Sequence, residues 1–163
     1  MRNRLASFSA LIDNIVQSVR RIASELRPSL LDDLGLPAAI AWHLEDFEKR
    51  SGIRAYFTEP KDEWILPDNV KINLFRIVQE ATTNIGRHSK ATEVHVNLER
   101  NDHSIALRVF DNGVGFNVET ICKGNTLGIL GMRERASIVG GKLEIKTAPG
   151  DGTGIVVSVP LPL

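Results

Sequence analysis

A chain of 163 residues, 42% hydrophobic and 25% charged, has the length and composition of one globular domain with room for a short accessory element. Twenty Lys and Arg balance twenty Asp and Glu, so no net field draws the chain to nucleic acid or to an anionic membrane. One cysteine, Cys122, excludes an internal disulfide and any zinc site built on paired cysteines, and no apolar run approaches the ~20 residues of a membrane span, so a reducing, cytoplasmic setting is expected.

The first segment carries the clearest periodicity. Leu5, Phe8, Ile12, Ile15, Val19, Ile22 and Leu26 recur at alternating spacings of 3 and 4, a heptad seam. Such a seam favours packing along another long helix, from this chain or a second one, over packing on a globular core. Pro28 stops or kinks that helix. Ser29 to Leu36 then reads as a connector punctuated by Gly35. Pro37 suits the first turn of a second helix, with Leu36, Ile40, Leu44 and Phe47 on one face and Gly52 as its terminator.

Ile53 to Thr58 alternates like a strand, and Glu59 to Asp68 reads as a loop with two prolines. A long helix is predicted from Asp68, the candidate N-cap, to His88. Its apolar stripe is Val70, Leu74, Ile77, Val78, Ala81 and Ile85. Two alternating strands follow, Val94 to Leu98 and Ile105 to Val109, turning around Asn101-Asp102. A helix from Gly128 to Val139 ends at Gly140-Gly141. A final antiparallel pair holds Leu143 and Ile145 against Ile155, Val157 and Val159. The order β, α, β, β, α, β, β predicts an α+β fold, a two-layer sandwich of helices over a mixed sheet.

Four clusters could carry chemistry. Counting ~100° per residue from Val70, Glu80 falls at about 280°, Asn84 at about 320° and Arg87 at about 260°. A carboxylate, an amide and a guanidinium thus share one edge of the long helix, as a solvated hydrogen-bond ladder or as one wall of a cleft. Asp111-Asn112-Gly113-Val114-Gly115-Phe116 is a strong turn signal, and its alternate glycines also let backbone approach a ligand. Gly128-Ile129-Leu130-Gly131 opens a helix whose unpaired N–H groups favour phosphate. Gly150 to Gly154 reads as a hairpin turn. No P-loop, no G-x-G-x-x-G, no G-x-S-x-G and no histidine-rich metal spacing occurs.

In order and spacing, these clusters resemble the ATP-binding domain of sensor histidine kinases, in the superfamily with DNA gyrase, a heat-shock chaperone and MutL (the Bergerat fold). Gln79 to His88 is similar to the N box, Asp111 to Phe116 to the first glycine box, Gly128 to Arg135 to the second, and Gly152-Thr153-Gly154 to the last. The resemblance covers about residues 53–163. Glu25-Leu26-Arg27-Pro28 with Leu31 to Leu36 resembles the segment after the second dimerisation helix of NarX/DegS-type kinases. The resemblance therefore divides the chain into a partial dimerisation helix and connector over 1–36 and a catalytic domain over 37–163.

The resemblance implies that Asp111 accepts a hydrogen bond from the adenine amino group and that Gly113 and Gly115 let the base approach. It implies that Asn84 offers its side-chain oxygen to Mg²⁺ and that Glu80 supports the water shell of that ion. Arg87 and His88 would face the phosphates of ATP, and Gly128, Gly131 and Thr153 would shape the phosphate end. His43, His88, His95 and His103 are the chain's histidines, and none lies on the heptad helix. The expected function is that of a catalytic fragment that transfers the γ-phosphoryl group to a histidine on a helix outside the chain. Its expected partners are that acceptor helix, a response regulator and, within a parent protein, a second copy. A nucleotide-binding module without phosphoryl transfer and a gyrase- or chaperone-like ATPase are the alternatives.

Overall fold

The computed structural model describes residues 29–59, 65–101, 103–117 and 127–161. The heptad helix expected over residues 5–26 lies outside them, as do Cys122 and most of the polar loop before Gly128. In chain order the elements are α1 (Ser29–Asp33), α2 (Gly35–Ser51), β1 (Arg54–Thr58), α3 (Asp68–Asn84) with a π-helical turn (Ile85–Ser89), β2 (Glu93–Arg100), β3 (Ser104–Asp111), α4 (Leu127–Ile138), β4 (Lys142–Thr147) and β5 (Thr153–Pro160).

The strands form one sheet in the order β1-β2-β3-β5-β4. β1 pairs with β2 in parallel, and every other pair is antiparallel. Alternation decides which residues face inward. Val94, Val96 and Leu98 on β2, Ile105, Leu107 and Val109 on β3, and Ile155, Val157 and Val159 on β5 are all buried. They share one core with the predicted stripe of α3 and with Leu36, Ile40, Leu44 and Phe47 of α2. Helices therefore cover one face of the sheet, and the opposite face carries exposed Tyr56, stacked on His95 at 4.7 Å, and Phe110. The α+β sandwich is the one the element order predicted.

Three local expectations are corrected. The connector over Ser29 to Leu36 contains helix α1, because Leu31 and Leu36 are each 1% exposed and join the core, and Gly35 opens α2 at φ 81 instead of merely separating elements. Asp68 is not the N-cap of α3. Pro67 takes that place, and its carbonyl accepts from the Val70 and Lys71 N–H groups at 3.0 and 3.1 Å. The Asp68 carboxylate pairs with Lys71 at 2.7 Å, a favourable position for negative charge in the first turn. The long helix does not run as a uniform α-helix to His88 but widens after Asn84. Gly52 does terminate α2, with left-handed φ 73 and its N–H on the Glu48 carbonyl at 2.9 Å.

Candidate functional site

Asp111 ends β3 on its inward face, in the same parity as Ile105, Leu107 and Val109. A carboxylate thus occupies what the strand pattern makes a core position, and it is 1% exposed. The loop after it keeps this group solvated by protein. The Gly113 N–H donates to Asp111 Oδ1 at 2.8 Å, and the Thr153 hydroxyl at the start of β5 bonds the same carboxylate. Burial pushes its carboxyl above the ordinary carboxylate range, and the Gly113 and Thr153 bonds hold it back. The neighbouring Asn112 has a different task. Its Oδ1 accepts from the Thr92 and Glu93 N–H groups at 2.9 and 3.0 Å, which ties the loop to the start of β2.

Asp111 lies at a cleft of about 350 Å³ between the sheet, α3 and α4, within the ordinary range for small-molecule sites. Ala81, Ile85, Val109, Met132, Ile145 and Ile155 make its walls apolar, and Asn84, His88, Asp111 and Thr153 supply polar groups. A flat apolar heterocycle with a hydrogen-bonding edge matches that lining. Ser89, Gly115, Phe116, Gly128 and Ile129 complete the lining.

The helix edge is partly as counted. Asn84 Nδ2 donates to Glu80 Oε1 at 3.4 Å, so the amide nitrogen faces the carboxylate and the amide oxygen is left to accept or to ligate. Glu80 itself stands behind Asn84, against Gly128, where a Cβ would run into its Oε1. Beyond Asn84 the uniform count fails. Each residue of the π turn advances by roughly 80°, so from Asn84 Arg87 falls back to about 200° and His88 to about 280°, beside Asn84. Accordingly His88 lines the cleft, and Arg87 is exposed and does not. The same turn buries Ser89, whose Oγ donates to the Ile85 carbonyl at 2.8 Å and whose own carbonyl accepts from the Val114 N–H at 2.7 Å.

The glycines serve the chain as well as any ligand. A Cβ on Gly113 would strike Ser89, and one on Gly115, at φ 58, would strike the Ala148 carbonyl. The space these residues leave is filled by protein backbone, which draws the loop after β3 against both the π turn and the β4–β5 turn. Gly131 lies outside the cleft, with nothing near its missing side chain. Several wall residues escaped the sequence reading as lining, among them Met132 on α4 and Ile145 and Ile155 on the last strands. Their apolar character was visible, but only the fold brings them into one cleft with Asp111.

Comparison with known proteins gives the family and supports the fold. Residues 69–163 match the family described as histidine kinase-, DNA gyrase B-, and HSP90-like ATPase. The chain is 38% identical over 151 residues to the signal transduction histidine-protein kinase/phosphatase DegS of Brevibacillus brevis, covering 93% of this chain and 39% of that protein. It is 35% identical over 151 residues to the oxygen sensor histidine kinase NreB of Staphylococcus carnosus, covering 93% and 44%. It therefore spans about two-fifths of the length of these relatives. Among solved structures, the histidine kinase AdeS of Acinetobacter baumannii superposes with a TM-score of 0.64 at 16% identity, covering 96% of this chain and 84% of that one. The histidine kinase domain of the Erythrobacter litoralis EL346 blue-light activated kinase gives 0.63 at 21%, covering 77% and 61%. These two likenesses concern the fold. By its sequence over more than half its length, the chain belongs to the histidine kinase-, DNA gyrase B- and HSP90-like ATPase family.

Proposed function

We propose that this chain is the ATP-binding catalytic part of a two-component sensor histidine kinase. The observation that carries the reading is the buried Asp111 carboxylate at the end of an apolar cleft, opposite the Asn84 edge of α3. Asp111 accepts the hydrogen bond of the adenine amino group, the apolar walls enclose the ring, and the phosphates run toward His88, Asn84 and the N-terminus of α4. Gly128 and Thr153 border that path. Arg87 and Gly131, which lie outside the cleft, act at most on its open side.

Mg²⁺ fits the donor set. It prefers oxygen ligands and keeps several waters and phosphate oxygens, and the Asn84 amide oxygen is the protein group turned away from Glu80. Bound there, the ion offsets triphosphate charge. Glu80 fixes the Asn84 amide and accepts from water around it. The rest of the chemistry is positioning. A neutral imidazole nitrogen, supplied on a helix of the parent kinase, attacks the γ-phosphorus. The P–N bond forms as the P–O bond to the β-phosphate breaks, and ADP leaves with the electron pair. Residues 1–36 link that helix bundle to the catalytic domain over 37–163, the parent works as a homodimer, and a cytoplasmic response regulator takes the phosphoryl group. No described helix is long and apolar enough to cross a membrane.

Titration calorimetry with Mg-ATP tests the reading. Asp111→Asn should weaken ATP binding strongly while leaving it measurable, and Asn84→Ala should remove the Mg²⁺-dependent part. Adding a histidine-bearing bundle fragment of a DegS-type kinase should give acid-labile phosphorylation of that fragment. Unchanged affinity in both variants counts against ATP binding in this cleft. ATP binding without transfer to any supplied histidine favours a nucleotide-binding module instead.

A further inference from the structure

Thr147, the last residue of β4, carries no role in the reading above, yet three segments meet at its hydroxyl. The Phe116 N–H, in the loop after β3, donates to Thr147 Oγ1 at 3.1 Å. Thr147 Oγ1 in turn donates to the Gly152 carbonyl at 2.8 Å, which closes the β4–β5 turn. The Thr153 hydroxyl lies 3.4 Å away. Each hydroxyl has one proton to give. With that of Thr147 on Gly152, the Thr153 proton is free for Asp111, its cross-strand partner on β3. The surrounding backbone leaves little slack. A Cβ on Gly152 would strike the Asp111 carbonyl, and one on Gly115 would strike Ala148 and approach Gly152. The Gly150 N–H bonds the Val114 carbonyl at 2.7 Å.

We propose that Thr147 is a positioning residue for base recognition: its hydroxyl joins the loop after β3 to the β4–β5 turn and so fixes Thr153 and the Asp111 carboxylate against the edge of a 6-aminopurine. It rests on the reading of Asp111 as acceptor for the amino group. Neither Thr147 nor its bond partner Phe116 N–H needs to touch the base for this. The hydroxyl proton count sets the donor direction of Thr153, and the hydrogen bonds of Thr147 set its place.

The test compares two nucleotides on the full chain by calorimetry, Mg-ATP and the magnesium complex of purine riboside triphosphate, which lacks the 6-amino group. The wild-type chain prefers ATP. Thr147→Val weakens ATP by about fivefold to tenfold, the size of one misplaced hydrogen bond, and leaves the analogue within roughly twofold. Thr147→Ser, which restores the hydroxyl, retains the ATP preference. Equal loss of both nucleotides, or loss of neither, in Thr147→Val overturns the assignment. A wild-type chain that does not distinguish the two nucleotides defeats the reading of Asp111, and the role of Thr147 falls with it. Hydrogen exchange on the wild-type chain gives an arm independent of the variant's folding. The Phe116 amide is protected, and exchange at the rate of an unstructured peptide overturns the proposal.

Discussion

Asp111 brings the energetic conflict of the site into one residue. Removing a carboxylate from water penalises its charged form, and two hydrogen bonds recover only part of that loss. Its folded pKa is raised, so its contribution to stability is fully present below the unfolded value and is lost as pH rises through the folded one. A base that donates an amino proton is held more strongly by the ionised form, a charge-assisted acceptor. Binding therefore draws the carboxyl back toward ionisation, and ATP affinity falls as pH drops through its raised range. The ligand titrates too, so the useful quantity is the affinity ratio of wild type to Asp111→Asn at each pH. That ratio shrinks toward acid. A ratio flat between pH 7 and the acid limit of folding would show that Asp111 does not read the base.

Helix α2 meets α3 through a second buried titratable group. His43 Nε2 lies 2.8 Å from Thr82 Oγ1, and its ring stands edge-on to Phe75 at 5.8 Å. Burial, aided by the Arg50 charge and opposed by Asp46, lowers its pKa from 6.5 to about 4. Because the folded pKa is depressed, the neutral ring contributes stability that is present above 6.5 and lost as pH falls from there toward 4. The full effect is roughly 3 kcal/mol. His43→Gln keeps a donor for Thr82 without the titration, so urea unfolding at pH 7 and at pH 4.5 should show a smaller acid loss in the variant. An equal loss in both chains places the acid sensitivity elsewhere.

The same helices show what can be read from a sequence. The α3 stripe and the strand alternations follow from burial periodicity alone, and each predicted stripe residue is buried. What escaped was set by contacts between elements. The uniform helical count assigned Arg87 to the cleft edge, and the π turn, which delivers the Ser89 carbonyl to Val114, puts His88 there. Asp68 looked like a cap by residue type, but the N-cap lies one residue earlier, at Pro67, and makes no side-chain cap. Thr147 has no motif of its own. Its importance arises only where β4 ends beside the loop after β3.

At the scale of the whole molecule, the cleft is assembled from parts distant in the chain. Asn84 and His88 come from α3 and its π turn, Asp111 from β3, Gly128 from α4 and Thr153 from β5. A ligand that touches all of them binds only the folded chain and stabilises it by mass action. At a hundredfold excess over Kd the gain is about 2.7 kcal/mol. For a domain of this size each kcal/mol moves the midpoint by about 2–4 °C, so Mg-ATP should raise Tm by roughly 5–10 °C. Asp111→Asn, at the same nucleotide concentration, should lose most of that rise. Chelating the metal should remove part of it from wild type and little from Asn84→Ala, because that variant has already lost the protein's oxygen ligand. A rise that survives Asp111→Asn intact would mean that the nucleotide sits elsewhere on the molecule, since no other buried carboxylate borders this cleft among the described residues.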